Sequence, residues 1–422
     1  MPTTQLNKKA VHNLLGRKLS DQELKDRTSY LGLEVESIKG SNLTLEINPN
    51  RPDLLSEQGF SRALSSFLGI KTGLRKYEVK DSGCHLVADN TLKNIRPYTV
   101  CAIVKDIKLD SNKIKEIVNI QEKLHSNFCR NRKKAAIGIY PLDKIKMPIL
   151  FTAMSTRKIK FKPLGMKHEM TAHDIMAKHP AGKEFGNLLA GLKEYPVFID
   201  ANNNILSMPP IINSEIAGKV TKRSRNLFIE CSGNDLNILH KCLNIIVTAL
   251  ADMGASIYSM RITYPNKTTV TPDLKPRKMH LDKDYVHKVL GLNFDNKQIK
   301  HMLNKMGLDY SGNQALIPAY RTDIIHQIDL VEDIAIAYGY NNIQPELPKV
   351  ATIAEENPIE VLRNKLASIL TNLGLLETNT YHLINKDDSK KKALIKDSLV
   401  ELENSISQEY NAFFLESSLL IR

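Results

Sequence analysis

A chain of 422 residues is too long for one hydrophobic core, since domains cluster at about 100–150 residues, and its 42% hydrophobic and 25% charged content excludes gross disorder. Lysine and arginine total 59 against 46 acidic residues, a formal net charge of +13, which attracts a polyanion such as RNA without naming one. The 5 cysteines form no CxxC pair, which argues against structural zinc and for a reducing compartment, and no apolar stretch approaches the about 20 residues of a membrane span, so a soluble cytoplasmic protein is expected.

The chain begins with a segment that recurs later. Leu6 to Leu33 aligns without gaps to Leu281 to Leu308, with Leu6, Val11, His12, Leu15, Gly16, Gly32 and Leu33 returning as Leu281, Val286, His287, Leu290, Gly291, Gly307 and Leu308. Each copy reads as a helix stopped by glycine, a short loop reaching Ser20 or Asp295 as N-cap, and a second helix ending at another glycine. A strand and an Arg-x-Asp motif follow, Arg51-Pro52-Asp53 in one copy and Arg321-Thr322-Asp323 in the other, each leading into a further helix. A histidine on the half-buried face of a helix is read as a packing or capping residue.

Between the copies the pattern changes. Tyr98 to Val104 and Ala135 to Tyr140 are short, β-branched and apolar, as buried strands are, and Leu236 to Met253 carries apolar residues at helical spacing up to Gly254. The strands are unevenly spaced, so this region is α+β and not a regular βαβ alternation. Pro265 and the polar run after it are read as a linker, and so are Pro345 to Glu356. His168-Glu169 followed by His173 puts the histidines on different helix faces and is rejected as a zinc motif.

In the second copy, Asp329, Glu332 and Asp333 stand at i, i+3 and i+4 of a helix, with Asp323 entering from the preceding turn. Ile328, Val331, Ala335 and Tyr338 make an apolar stripe on the other side. Carboxylates this close repel unless compensated. Either a hard cation with oxygen ligands, for which Mg²⁺ is the natural candidate, or a solvated acidic face that docks basic residues of a partner satisfies the pattern.

Five stretches together resemble one family. Glu46-Ile-Asn-Pro-Asn-Arg-Pro-Asp-Leu-Leu-Ser-Glu-Gln-Gly-Phe-Ser-Arg-Ala-Leu64 resembles the N-terminal domain of phenylalanyl-tRNA synthetase beta subunits; Cys129 to Pro141, Ile205 to Ser214 and Phe228 to Gly233 resemble their B3/B4 editing domain in its archaeal/eukaryotic form; and Ile317 to Tyr340 resembles their B5 domain. The resemblance implies an α+β multidomain chain in which a duplicated helix-turn-helix and strand module (B1 and B5) flanks the B3/B4 domain, followed by a partial class II synthetase-like antiparallel-sheet module. The expected boundaries are 1–80, 84–264, 268–345 and 350–422. After Val400-Glu-Leu-Glu-Asn404 the sequence departs from the family pattern, so a C-terminally truncated or split subunit is expected.

The implied role is to support ATP-dependent charging of tRNA(Phe) in an (αβ)₂ heterotetramer whose aminoacylation site lies on the alpha subunit, and to hydrolyse mischarged Tyr-tRNA(Phe). A pocket apolar enough for phenylalanine rejects an added hydroxyl poorly, which is the physical case for a second, editing pocket. Glu230 is the expected acceptor for the tyrosine hydroxyl, Asn213 and Ser214 the expected donors, and the backbone at Gly138 a means of orienting water or the ester carbonyl. For Glu230 an ion pair with Lys222, Arg223 or Arg225 is the competing reading. Arg130, Arg132, Lys133 and Lys134 would neutralise tRNA phosphates, or else form a solvated strand end. The resemblance also implies Mg²⁺ at Asp323, Asp329, Glu332 and Asp333, at a site shared with the alpha subunit. A free-standing trans-editing hydrolase, and an inactive or split subunit acting only in assembly or RNA binding, are the alternatives.

Overall fold

The structure, a computed structural model, describes residues 3–347, 354–379, 381–392, 399–405, 407, 409–413 and 418–421. It divides into two units, Met1–Gln344 and Pro345–Arg422.

Both copies of the repeat fold alike. The first runs through strand Thr3–Asn7, helices Lys8–Leu15 and Asp21–Tyr30, and strands Glu34–Lys39 and Asn42–Glu46, to helix Glu57–Phe67. The second runs through strand Arg277–His280, helices Lys283–Leu290 and Asn296–Lys305, and strands Asp309–Ser311 and Gln314–Ile317, to helix Gln327–Tyr338. In each, the last strand is the middle of a three-stranded sheet. The punctuation is local chemistry. Gly16 and Gly291 close their helices at φ 69, a left-handed conformation that costs glycine little. Ser20 accepts from the Glu23 amide, and Asp295 makes a full capping box with Gln298.

The central region is a mixed ten-stranded sheet. Its path runs from Ile212–Asn213 through Ile205–Met208, Glu194–Ile199, Ile149–Ser155, Val79–Ala88, Ser256–Tyr264, Tyr98–Lys105 and Leu227–Gly233 to Ala135–Pro141. Val79–Ala88 pairs in parallel with both of its neighbours, and the remaining pairs are antiparallel. Helix Leu236–Asp252 lies against the sheet, and one apolar core runs from the two repeats through Leu243, Ile246 and Val247 into its strands. A smaller core around Ile159, Ile175 and Val197 serves the far end.

Two expected boundaries move. Pro265 is the turn of a hairpin joining Ser256–Tyr264 to Lys267–Thr271, which continues the same sheet, and Val79 already belongs to it. Proline followed by asparagine is turn chemistry as much as linker chemistry, and local sequence does not separate the two.

In the second unit, helix Pro358–Asn372 accompanies small antiparallel sheets, Leu376–Asn379 with Ser418–Ile421 and Leu383–Ile384 with Ala412–Phe413 and Val400–Glu401. Ile359, Leu362, Leu366, Ile369 and Leu373 of this region are exposed large apolar residues at helical spacing.

Candidate functional site

The ten-stranded sheet curls until its two end strands face each other. Ala135–Pro141 and Ile212–Asn213 stand at opposite ends of the hydrogen-bonded path, yet the Tyr140 hydroxyl on one reaches Asn213 Oδ1 on the other at 3.3 Å. The candidate site lies at this seam.

Register builds it. Gly138 is paired with Glu230 across the ladder, and Tyr140, two residues on, projects to the same face of its strand. The Tyr140 hydroxyl lies at hydrogen-bond distance, 3.1 Å, from Glu230 Oε1, and its ring stacks on Phe228 with centroids 5.6 Å apart. Ser207 and Asn213 are cross-strand partners on the opposing edge, and the buried Ser207 hydroxyl interacts with that of Tyr140. Gln121, His125, Arg132, Leu164, Asn213 and Glu230 line a cavity of about 100 Å³ here.

Glu230 is 2% exposed, and its Oε2 has no hydrogen-bond partner among the described residues. Burial pushes its carboxyl up to about 8, against the pull of the Arg96 guanidinium, so the acid form prevails at neutral pH. Arg96, itself lowered to about 10 by burial, donates to the Ser232 hydroxyl at 3.0 Å and to the Ser232 carbonyl. The cation acting on Glu230 is therefore Arg96, not Lys222, Arg223 or Arg225. His125 Nε2 accepts from the Ile137 amide at 2.9 Å, which leaves Nδ1 facing Glu122 Oε1 at 3.5 Å.

Of the expected editing residues, Glu230, Asn213 and Gly138 converge, and two roles change. A Cβ on Gly138 would lie 2.3 Å from the Tyr140 hydroxyl and 2.5 Å from Glu230 Oε1, so the glycine makes room for the phenol, and its backbone is covered. Ser214 is 3% exposed and its hydroxyl caps a short helix, accepting from the Ile216 amide at 3.3 Å. It is thus committed to the backbone. Tyr140, Ser207, Arg96 and His125 were not singled out by sequence reasoning; only Tyr140 had a signal, its period-2 spacing from Gly138.

The basic run also splits. Arg132 is held at the seam: its guanidinium donates to the carbonyls of Pro210 (3.1 Å) and Ile211 (2.9 Å), pairs with Glu122 (3.2 Å) and lies over the Phe185 ring. It ties the two sheet edges together and is not free for phosphate. Arg130 and Lys133 are exposed and Lys134 half-buried. Arg130, Asn131 and Arg132 all take positive φ (49, 51 and 64), a costly run for non-glycine residues that the Arg132 contacts help to hold.

Family comparison decides the lineage. Residues 1–70 match the Phe-tRNA synthetase beta subunit B1 domain, 279–340 the tRNA synthetase B5 domain, and 343–415 the phenylalanyl tRNA synthetase beta chain CLM domain. The phenylalanine–tRNA ligase beta subunit of Pyrococcus horikoshii is 40% identical over 98% of this chain and 76% of its own length. The chain belongs to the phenylalanine–tRNA ligase beta-subunit family. The beta subunit of Methanococcus aeolicus is 39% identical over 92% of this chain and 71% of its own. A crystal structure of an N-terminal fragment of the Pyrococcus horikoshii beta subunit superposes with a TM-score of 0.77 at 40% identity, covering 80% of this chain and 99% of the fragment.

The magnesium implied by the beta-subunit resemblance is a test of the four carboxylates. Asp323 takes both ends of the Arg321 guanidinium (2.8 and 2.7 Å) and lies 3.9 Å from Arg51, and these cations hold its carboxyl below the usual range despite burial. Asp333 pairs with Arg321 at 2.9 Å. Asp329 Oδ2 accepts the amides of Ile325 and His326 at 2.7 and 2.8 Å, and Glu332 Oε1 accepts from the Tyr340 hydroxyl at 3.0 Å. Among the described residues no group of three or more His, Cys, Asp or Glu is arranged to hold a metal ion. Within this chain guanidinium, amide and phenol groups already engage the four carboxylates and supply the compensation that close carboxylates require. The expected apolar stripe is also incomplete, since Ile328 is exposed.

The same cluster joins the two repeats. Arg51 grips Asp53 through two bonds of 2.9 Å, as Arg321 grips Asp323, and Thr322 donates its hydroxyl to the Asn50 carbonyl at 2.8 Å. The duplicated Arg-x-Asp motifs therefore meet each other.

Proposed function

We propose that this chain acts as the beta subunit of a phenylalanine–tRNA ligase and removes tyrosine from mischarged tRNA(Phe) at the sheet seam. The observation that carries the editing reading is the convergence of Glu230 and Asn213 on a small cavity, with one buried carboxyl oxygen left unpartnered. A tyrosyl hydroxyl entering there finds an acceptor that phenylalanine cannot use, and leaving that group unpaired costs about 1–3 kcal/mol. Glu230 in its acid form is a poor general base, so it serves recognition: water attacks the ester carbonyl, and tyrosine leaves the tRNA 3′ end. Arg130 and Lys133, both exposed, would meet acceptor-end phosphates.

The aminoacylation site belongs to an alpha subunit in an (αβ)₂ assembly working in the cytoplasm. The exposed apolar residues from Ile359 to Leu373 support a partner surface, and no helix among the described residues is long and apolar enough to cross a membrane. A free-standing editor is the second reading, favoured by the fact that every group of the seam pocket lies within Met1–Gln344. Co-expression with the matching alpha subunit, followed by gel filtration and assays of charging and of Tyr-tRNA(Phe) hydrolysis, tests both. A charging complex supports the subunit role; a chain that runs alone yet hydrolyses Tyr-tRNA(Phe) supports the free editor; no hydrolysis in either form removes the editing reading.

A further inference from the structure

The Tyr140 hydroxyl occupies one side of each group that the editing reading uses for recognition. It lies 3.1 Å from Glu230 Oε1 and 3.3 Å from Asn213 Oδ1, and Tyr140 is wholly buried. The phenol has one proton to give: Glu230 in its acid form hands the phenol oxygen its proton from Oε1, the phenol donates to Asn213 Oδ1, and the Asn213 Nδ2 donor is thereby turned away. A carboxyl pinned through Oε1 likewise presents Oε2 in one direction, and that oxygen is buried and unpartnered among the described residues. Both Asn213 and Glu230 line the cavity of about 100 Å³. We propose that Tyr140 is a positioning residue that fixes the polarity of Asn213 and Glu230, so that one donor and one acceptor meet the substrate hydroxyl; this rests on the editing reading above.

Two observations support a built arrangement over a tyrosine that merely fills the core. The strand neighbour is glycine at the point where any Cβ would strike both the phenol and the carboxyl, so the backbone is shaped around this contact. The phenol ring is held independently by Phe228, so the hydroxyl is not needed to keep the ring in place. The cavity is smaller than the about 150 Å³ that accommodates benzene in an engineered core, so the pocket widens when a tyrosyl group enters, and orientation of its polar ends must survive that widening.

The experiment uses the full chain and measures kcat/KM for hydrolysis of Tyr-tRNA(Phe) and Phe-tRNA(Phe). Tyr140→Phe keeps the stacked ring and removes the hydroxyl. The expected result is a fall of about tenfold or more in the preference for the tyrosyl ester, with Phe-tRNA(Phe) hydrolysis unchanged within about twofold. Glu230→Gln should lower the preference in the wild-type background and cost less when combined with Tyr140→Phe, because the two act as one unit. If Tyr140→Phe fails to fold, Asn213→Asp asks the same question by replacing the inward donor with an acceptor, and the preference should fall alone. Equal loss with both esters, an unchanged preference, or additive effects of the two substitutions overturns the proposal while leaving the editing reading intact. A wild-type chain that hydrolyses neither ester overturns the editing reading and the proposal with it.

Discussion

The two copies of the repeated unit carry the same motif in different surroundings. In the second copy Arg321 has two carboxylate partners, Asp323 and Asp333, and its side chain is 2% exposed. In the first copy Ala63 stands where Asp333 stands in the second, and Arg51 has Asp53 at hydrogen-bond distance and Asp323 only at 3.9 Å. The lesson is about reading acidic clusters. Of the three helix carboxylates that the first copy lacks, with Gly59, Arg62 and Ala63 where Asp329, Glu332 and Asp333 stand, Asp333 partners a buried guanidinium. Removing Arg321 therefore strands two buried charges, and Arg321→Ala is expected to lower unfolding free energy by about 3–5 kcal/mol, the cost of breaking a buried pair. Arg51→Ala should cost less, since it strands one buried carboxylate, Asp53, where Arg321→Ala strands two, and Asp323 keeps Arg321. Urea unfolding of both variants makes the comparison, and equal losses would break it.

A second asymmetry depends on pH. The Asn7 amide donates to Glu57 Oε1 at 3.0 Å, and at the corresponding place in the second copy the Asp282 amide donates to Gln327 Oε1 at 3.5 Å. The bond is the same, but one acceptor titrates. The Glu57 amide donates to Glu116 at 2.8 Å, and burial, reinforced by the Glu57 charge, pushes Glu116 up to about 7. A carboxyl raised in the folded state holds a proton there that the unfolded chain has released. Its contribution is whole below the ordinary glutamate range and is lost as pH rises towards and past 7. Glu116→Gln is expected to abolish a loss of about 3 kcal/mol between pH 5 and pH 8. Melting curves at the two pH values check it, and an unchanged pH dependence would locate the titration elsewhere.

The repeated histidines differ more quietly. His287 Nε2 accepts from the Phe294 amide at 3.0 Å and lies 2.9 Å from its carbonyl oxygen, whereas the equivalent nitrogen of His12 is buried without a hydrogen-bond partner among the described residues. His287→Leu should cost about 1 kcal/mol or more and His12→Leu nothing, or even a slight gain, because a polar group without a partner is relieved. Chemical denaturation of the pair decides.

These contrasts also mark how far the sequence could be read. The repeat, its helices and its caps were legible because Gly16, Gly291, Ser20 and Asp295 act within a few residues. The opening strands Thr3–Asn7 and Arg277–His280 were not, since they exist only through pairing with partners such as Glu46 and Ile317 far along the chain. At the candidate site, motif position singled out Glu230, Asn213 and Gly138, which the fold brings together, but curling of the sheet, which brings Tyr140 to Asn213, is long-range geometry. The same closure turned Arg132 from a phosphate contact into a clasp.

The smallest effect expected is none at all. A shared magnesium site would stabilise the fold through linkage, by about 2.7 kcal/mol at a hundredfold excess of metal over its dissociation constant, and a chelator would reverse it. With Asp323 and Asp333 held by Arg321, Asp329 by backbone amides and Glu332 by Tyr340, the isolated chain should show the same melting temperature in millimolar Mg²⁺ and in EDTA. A rise with Mg²⁺ that disappears in Asp329→Asn would show that these carboxylates release their partners for the ion, and the contrast between the two repeats would then be one of metal binding after all.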